Sequence, residues 1–366
     1  MISVFTSPAF RQALLGLVCW LASLPALAGD TCRVVFDMGS SGIRAGVLNS
    51  EIIVRADFDY LSEWWAKHSL KGTVATTVTS LHDLSLQAGF PTDCQKVGGG
   101  FSVWRLAAQA NVDELADILE YIYSTTGVAV LVIPQQQEGA YGFFGSRQVL
   151  GSRLTTTHVL DIGGGSLQIS GEHSSFGEAL GQKIWHRELC RVIRNTDTTP
   201  CTLQPLSEKE VAIARSLLME RLKPAADKLS GTVSLTAISR PVSRNVFPAV
   251  KRMVVEETDH QGFSRSAIKQ AIDHLAPLKM NEAVLLSGSE PAYASYLISD
   301  MLLVEGLLQA TGGSYLHVAE IDLTNIPGVL NDEHAFSWRL QYGCYLERLR
   351  HVGVPAYASE PASCPQ

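Results

Sequence analysis

The sequence predicts an α/β protein of two related halves that flank a cleft. Three observations predict it. The stretch Val159-Leu160-Asp161-Ile162-Gly163-Gly164-Gly165-Ser166-Leu167-Gln168-Ile169-Ser170 reads as a strand, a glycine turn and a second, alternating strand. Val34-Val35-Phe36-Asp37-Met38-Gly39-Ser40-Ser41-Gly42-Ile43-Arg44-Ala45-Gly46-Val47-Leu48 repeats that grammar, with Asp37 placed as Asp161 is. A chain of 366 residues, 46% hydrophobic and 18% charged, suits about two globular domains with a sizeable core.

Each hairpin carries the same chemistry. A run of glycine or serine strips bulk from the bend, so an anion can approach backbone N–H groups. An acid at the strand end supplies a carboxylate for a cation, and Ser166 and Gln168 supply small polar groups for a water. A plain glycine hairpin with a capping Asp is the bland alternative for one such loop. Two loops of one spacing can face each other and grip one polyphosphate from both sides.

The formal net charge is −7 and no basic run occurs, which argues against a nucleic-acid partner. Residues 1–28 read as an export signal: Arg11 gives a weak basic start, residues 13–24 carry no charge, Pro25 breaks the run, and Ala26-Leu27-Ala28 is a cleavage signal. The run is short of the roughly 20 apolar residues a membrane span needs. Cleavage after Ala28 is expected, giving a periplasmic or secreted protein with no stable membrane anchor; an uncleaved anchor is the alternative. Export makes the six remaining cysteines a disulfide framework. If the strands after Cys32 and Cys94 are parallel neighbours, those two sulfurs meet. Cys190 with Cys201 and Cys344 with Cys364 complete the pairing, against an alternative of free buried thiols.

In chain order, residues 29–150 form the first domain, 151–345 the second and 346–366 a tail. Residues 52–56 read as a strand, and Trp64 and Trp65 as packing residues. Lys96-Val97-Gly98-Gly99-Gly100 reads as a strand running into a further glycine turn, followed by a helix carrying Arg105. Val112, Leu115, Ile118, Leu119 and Ile122 recur at helical spacing between a capping Asn111 and a terminating Gly127. Residues 128–133 are a β-branched strand ended by Pro134. Glu138 stands just past that strand, where a carboxylate points into the cleft. Helices are expected over 181–193, 207–223, 264–275 and 297–308, and a strand over 283–286. Arg187, Arg191 and Arg194 share a helical face, read as solvated rather than as a polyanion track.

On these residues the chain resembles the actin-like ATPase superfold, two ribonuclease-H-like domains around a phosphate cleft. Within it the chain is similar to the exopolyphosphatase/guanosine pentaphosphate phosphatase family and the related apyrases. Phe36-Asp37-Met38-Gly39-Ser40-Ser41-Gly42-Ile43-Arg44 is close to the first apyrase phosphate motif, and Leu160-Asp161-Ile162-Gly163-Gly164-Gly165-Ser166-Leu167-Gln168 matches the second motif of both families. Glu138-Gly139-Ala140-Tyr141-Gly142 is near-identical to the apyrase stretch that holds the catalytic Glu, and Val97-Gly98-Gly99-Gly100 with Arg105 sits where both families place a small-residue turn and an Arg.

The resemblance implies roles. Asp37 and Asp161 position Mg²⁺ or Ca²⁺ through its waters. Gly39, Ser40, Ser41, Arg44 and Arg105 hold one phosphate, and Gly163, Gly164 and Gly165 another. Glu138 is the general base, with Ser166 and Gln168 orienting the water. The implied activity is an exported, metal-dependent phosphohydrolase acting on a small phosphoanhydride, a nucleoside polyphosphate or polyphosphate; a non-catalytic binding protein of the same fold is the alternative. Two features depart from the family pattern: Gln135, Gln136 and Gln137 replace a run of acids, and residues 236–240 are not glycine-rich.

Overall fold

Apolar strands that end on an acid and turn on glycine bring their neighbours into register, and this happens twice. The computed structural model describes residues 32–365 except 51, 230, 255–257 and 322–324. The expected export segment, residues 1–28, lies outside the described residues.

In the first half, β1 (Arg33–Gly39), β2 (Gly42–Val47) and β3 (Ile53–Asp57) form an antiparallel meander. Helices α1 (Tyr60–Lys67) and α2 (Val74–Gln87) follow, and Asp59 caps the first by accepting from the Ser62 N–H. β4 (Gln95–Gly100) then pairs parallel with β1. The glycines expected as a turn lie inside this strand. A Cβ at Gly98 would sit 3.0 Å from both Met38 Sδ and Val130 Cγ2, and one at Gly99 would sit 2.7 Å from the Phe101 ring. Close packing over the strand is therefore what demands glycine there. The actual bend is at Ser102, with φ of 51°.

Helices α3 (Val103–Ala110) and α4 (Val112–Thr126) lead to β5 (Ala129–Val132), which pairs parallel with β4. Asn111 caps α4 through the Glu114 N–H, and Gly127 ends it in the left-handed region, both as expected. The sheet order is β3-β2-β1-β4-β5.

Helix α5 (Gln135–Leu150) crosses to the second half and packs on its sheet. There β6 (His158–Ile162), β7 (Leu167–Gly171) and β8 (Ser175–Glu178) form a second meander. After α6 (Gln182–Arg194) and α7 (Glu208–Lys228), β9 (Leu235–Ala237) joins β6 in parallel. Past β10 (Gly262–Ser264), α8 (Arg265–Leu275), α9 (Met280–Ser287) and α10 (Leu297–Ala310), β11 (Tyr315–Val318) joins β9 in parallel. The order is β10-β11-β9-β6-β7-β8, so β8-β7-β6-β9-β11 repeats the order and directions of the first sheet. This is the expected pair of ribonuclease-H-like domains. The strand expected over 283–286 is helical, part of α9, which Gly288 ends at φ of 69°. Four apolar residues in a row cannot distinguish helix from strand by period.

Disulfides join Cys32 to Cys94, Cys190 to Cys201 and Cys344 to Cys364. The first spans the starts of the parallel strands β1 and β4.

The end of the chain goes elsewhere than expected. From Ile326 onward its apolar residues, among them Val329, Trp338, Tyr345 and Tyr357, join the first core rather than the second. The second core draws its buried residues from 160–316, so a second domain running to residue 345 overshoots. The reason is the open edge of β5. Helix α11 (Tyr342–Val352) lies against it, the Val132 N–H donates to Tyr345 Oη at 2.7 Å, and Tyr342 Oη donates to the Val130 carbonyl at 2.9 Å. Two phenols thus complete a strand that no further strand among the described residues covers. Replacing Tyr345 by Phe strands a buried N–H. Urea unfolding is expected to show a loss of about 1–3 kcal/mol, with steady-state affinity for substrate unchanged.

Candidate active site

The two hairpin bends meet. A Cβ at Gly164 would lie 2.7 Å from Ser40 Oγ and 3.0 Å from Ser41 Oγ, and one at Gly165 would strike Ser102 Oγ. The glycines therefore serve a close approach between domains as well as a bend. Lys183 Nζ reaches Asp59 Oδ2 at 2.8 Å, and the Arg187 guanidinium lies 4.6 Å over the Trp65 ring, so α6 is fastened to α1. The other two arginines of that face are also engaged, Arg191 by Asp197 and Arg194 by Glu210.

Between the bends is a cleft of about 250 Å³. Of the residues singled out in the sequence, Asp37, Gly39, Ser40, Ser41, Arg44, Glu138, Asp161, Gly163, Gly164 and Ser166 line it. Gly165 faces Ser102 instead. Gln168 stands behind Glu138, and Arg105 is buried beside it rather than in the cleft wall.

Glu138 enters from the first turn of α5. Gly139 permits this, because a Cβ there would collide with the Ser170 hydroxyl of β7. One carboxylate oxygen of Glu138 is clamped. Arg105 Nη1 lies 2.7 Å from Oε2, and Gln168 Nε2 donates to the same oxygen at 2.9 Å. Among the described residues nothing donates to Oε1. Ser166 Oγ accepts from Arg105 Nη2 at 3.2 Å and from Gln168 Nε2 at 3.1 Å, which leaves its own proton to point elsewhere. Arg105 is itself fixed by the Ile133 carbonyl at 3.0 Å.

The two acids of the hairpins are not equivalent. In register, Asp37 faces Arg44 across β1 and β2, whereas Asp161 faces Gln168 across β6 and β7. Burial raises Asp37, opposed by Arg44, Asn325 and Arg55. Asp161 is pushed up to about 7 by burial, with the charges of Glu138 and Asp37 adding to it and only Arg44 opposing. Burial also lifts Glu138 above the usual carboxylate range, against the pull of Arg105 and with the help of Asp37. Three buried acids, with Asp37 raising Glu138 and both raising Asp161, are a fit environment for a hard divalent cation. Among the described residues the set with ligand atoms close enough to share one ion is His186, Cys190 and Cys201, whose cysteines are a disulfide. Asp37, Glu138 and Asp161 do not form such a set, which suits contact through a cation's waters.

The cleft wall holds residues that the motifs did not reveal: Arg55, Ser102, Gln182, Ser239, Arg240, Tyr293 and Asn325. Arg55 was open to discovery, since it pairs in register with Arg44 on the next strand. Two guanidiniums set opposite each other are unfavourable without an anion between or beside them. Ser239, in the stretch that lacks glycine, accepts from the Ile162 N–H at 3.1 Å. Ser102 Oγ and Asn325 Oδ1 are buried in the wall with no partner among the described residues.

Arg105→Met leaves the Glu138 charge buried without its cation. Stability is expected to fall by about 3 kcal/mol in urea melts, and a second change, Glu138→Gln, is expected to recover part of that loss.

A model of the Ppx/GppA phosphatase family matches residues 108–323, more than half of the chain. No curated protein matches the sequence. Among solved structures, the Ppx/GppA family member of Aquifex aeolicus aligns with a TM-score of 0.59 at 16% identity, over 85% of this chain and 98% of that one. An exopolyphosphatase from Cytophaga hutchinsonii aligns with a TM-score of 0.57 at 15% identity, over 80% of this chain and 95% of that one. These likenesses bear on the fold, and the match to the family bears on kinship: the chain belongs to the Ppx/GppA phosphatase family.

Proposed function

We propose that this protein is an exported, metal-dependent phosphohydrolase that removes terminal phosphates from polyphosphate or nucleoside polyphosphates. The observation that carries the reading is the state of Glu138. One of its oxygens is held by Arg105 and Gln168 while the other is unengaged, on the wall of a cleft between two Asp-led glycine bends.

The first bend receives one phosphate through Ser40, Ser41, Arg44 and the amides near Gly39, with Arg55 beside Arg44 adding positive charge. The second bend offers the amides of Gly163, Gly164 and Gly165 to its neighbour. Asp37 and Asp161 hold the cation, which when bound neutralises the phosphate charge and polarises the scissile bond. The attacking water lies at Glu138 Oε1 and gives up its proton there. Ser166, its oxygen already accepting two hydrogen bonds, directs its hydroxyl proton into the cleft and so orients the incoming oxygen. Gln168 spends both amide protons on Glu138 and Ser166, so its part is to hold that pair together. Phosphoryl transfer asks mainly for this kind of positioning and charge neutralisation. Three disulfides support a life in an oxidising compartment.

The test is phosphate release from ATP, ADP, a guanosine tetraphosphate and polyphosphate, each with Mg²⁺ or Ca²⁺. Glu138→Gln is expected to lower kcat roughly 10²–10⁴-fold while substrate still binds; equal turnover removes Glu138 from the mechanism. Release from none of the four by the wild type, with tight binding, makes the protein a binder instead. Cation affinity carries a pH signature. Asp161, raised to about 7, must lose its proton to receive a cation, so binding is strongest above that value and weakens below it. Calorimetric titration is expected to show affinity falling about fivefold between pH 7 and pH 6.

A further inference from the structure

Helix α10 runs through the second core with every residue from Leu297 to Leu308 buried. Two of those residues are acids. Glu305 is answered by Arg215, whose Nε and Nη2 each lie 2.8 Å from a carboxylate oxygen. Asp300 is answered by no cation among the described residues. Its Oδ2 accepts from Gln182 Nε2 at 2.6 Å and from Asn245 Nδ2 at 3.3 Å, and its Oδ1 has no partner. A buried carboxyl met only by amides is a poor stabiliser, and an apolar side chain in an apolar helix would serve the fold better. Burial lifts it to about 8, which eases the cost at neutral pH without removing it.

Both amides lead to the phosphate cleft. Gln182 lines the cleft, and its backbone N–H and that of Lys183 hold the carbonyls of Gly163 and Gly164 at 2.9 and 2.8 Å. Asn245 Nδ2 also donates to the Tyr293 carbonyl at 3.3 Å, and Tyr293 lines the cleft too. Asn245 Oδ1 is fixed in turn by the Ser289 hydroxyl at 2.7 Å. The unpaired acid is thus the hub of one wall, placed behind the loop that offers its amides to phosphate.

We propose that Asp300 is a positioning residue: it fixes the Gln182 side chain, and through Asn245 the Tyr293 backbone, as the preformed second-domain wall of the phosphate cleft. The proposal deepens the hydrolase reading and rests on it for the identity of the ligand. Its primary readout is therefore binding.

The experiment is calorimetric titration of inorganic triphosphate with Mg²⁺ into the whole protein: wild type, Asp300→Asn, Asp300→Leu, Gln182→Leu, and the Asp300→Leu, Gln182→Leu double variant. Asp300→Leu is expected to weaken binding about tenfold with a melting temperature no lower than wild type. Asp300→Asn keeps an acceptor oxygen in place and is expected to stay within about twofold. The double variant is expected to lose less than the sum of the two single losses, as residues acting partly through one shared contact do. In turnover, Asp300→Leu raises KM and largely spares kcat. Wild-type affinity in Asp300→Leu, or additive losses in the double variant, overturns the proposal. Should the leucine variant not fold, Asp300→Ala, which adds no bulk, faces the same two outcomes. Triphosphate bound, with no phosphate released by the wild type from it or from any of the four substrates named above, overturns the hydrolase reading alone, while the affinities still decide this one.

Discussion

Three carboxyl groups placed together out of water repel one another and lose hydration, and the rest of this molecule is arranged around that cost. Asp37, Glu138 and Asp161 each reach the cleft from a different element: β1, the first turn of α5, and β6. Among the described residues Arg44, Arg55 and Arg105 stand close as counter-charges, and Arg105 is spent on Glu138. On the proposed function, the remaining imbalance is what a cation–phosphate complex would correct. Binding energy from such a ligand thereby offsets strain already stored in the folded state.

The duplicated sheet explains how the acids come to face one another, and the differences between the copies explain why they are not interchangeable. At the strand position opposite the acid, one copy carries Arg44 and the other Gln168. The first copy is therefore biased toward holding an anion beside its acid. The second offers an amide that reaches Glu138 and Ser166. A common frame thus sets a guanidinium beside one acid and an amide beside the other, and on the proposed function these become a phosphate-holding side and a water-handling side.

Much of this was legible in the primary structure because it is local. Asp-x-Gly hairpins, the Asn111 and Gly127 caps and the position of Glu138 after a β-branched strand are each set by neighbours within a few residues. The pairing of Cys32 with Cys94 needed one further assumption, that β1 and β4 are parallel neighbours, and they are. What escaped was non-local. Glycines in β4 are demanded by side chains packed across the sheet, so the run looked like a bend. Arg105 resembled a phosphate ligand because its partner Glu138 is distant in sequence. Gln182, Tyr293 and Asn325 sit in no motif, and only the approach of the two sheets brings them to one wall. Asp300, in a helix buried at every residue from Leu297 to Leu308 and mostly apolar, gave no periodic sign of its place behind the cleft.

The return of the last forty or so residues to the first sheet has a consequence for how the chain is made. As the protein emerges during synthesis, β1 to β5 are complete by Val132, yet the phenols that close the outer margin of β5 arrive only with Tyr342 and Tyr345. The later-made domain, whose core draws on residues 160–316, can condense as a unit as soon as it has emerged. The earlier-made one keeps a bare hydrogen-bonding margin along β5 until Tyr342 and Tyr345 have been made. The order of birth and the order of completion are reversed.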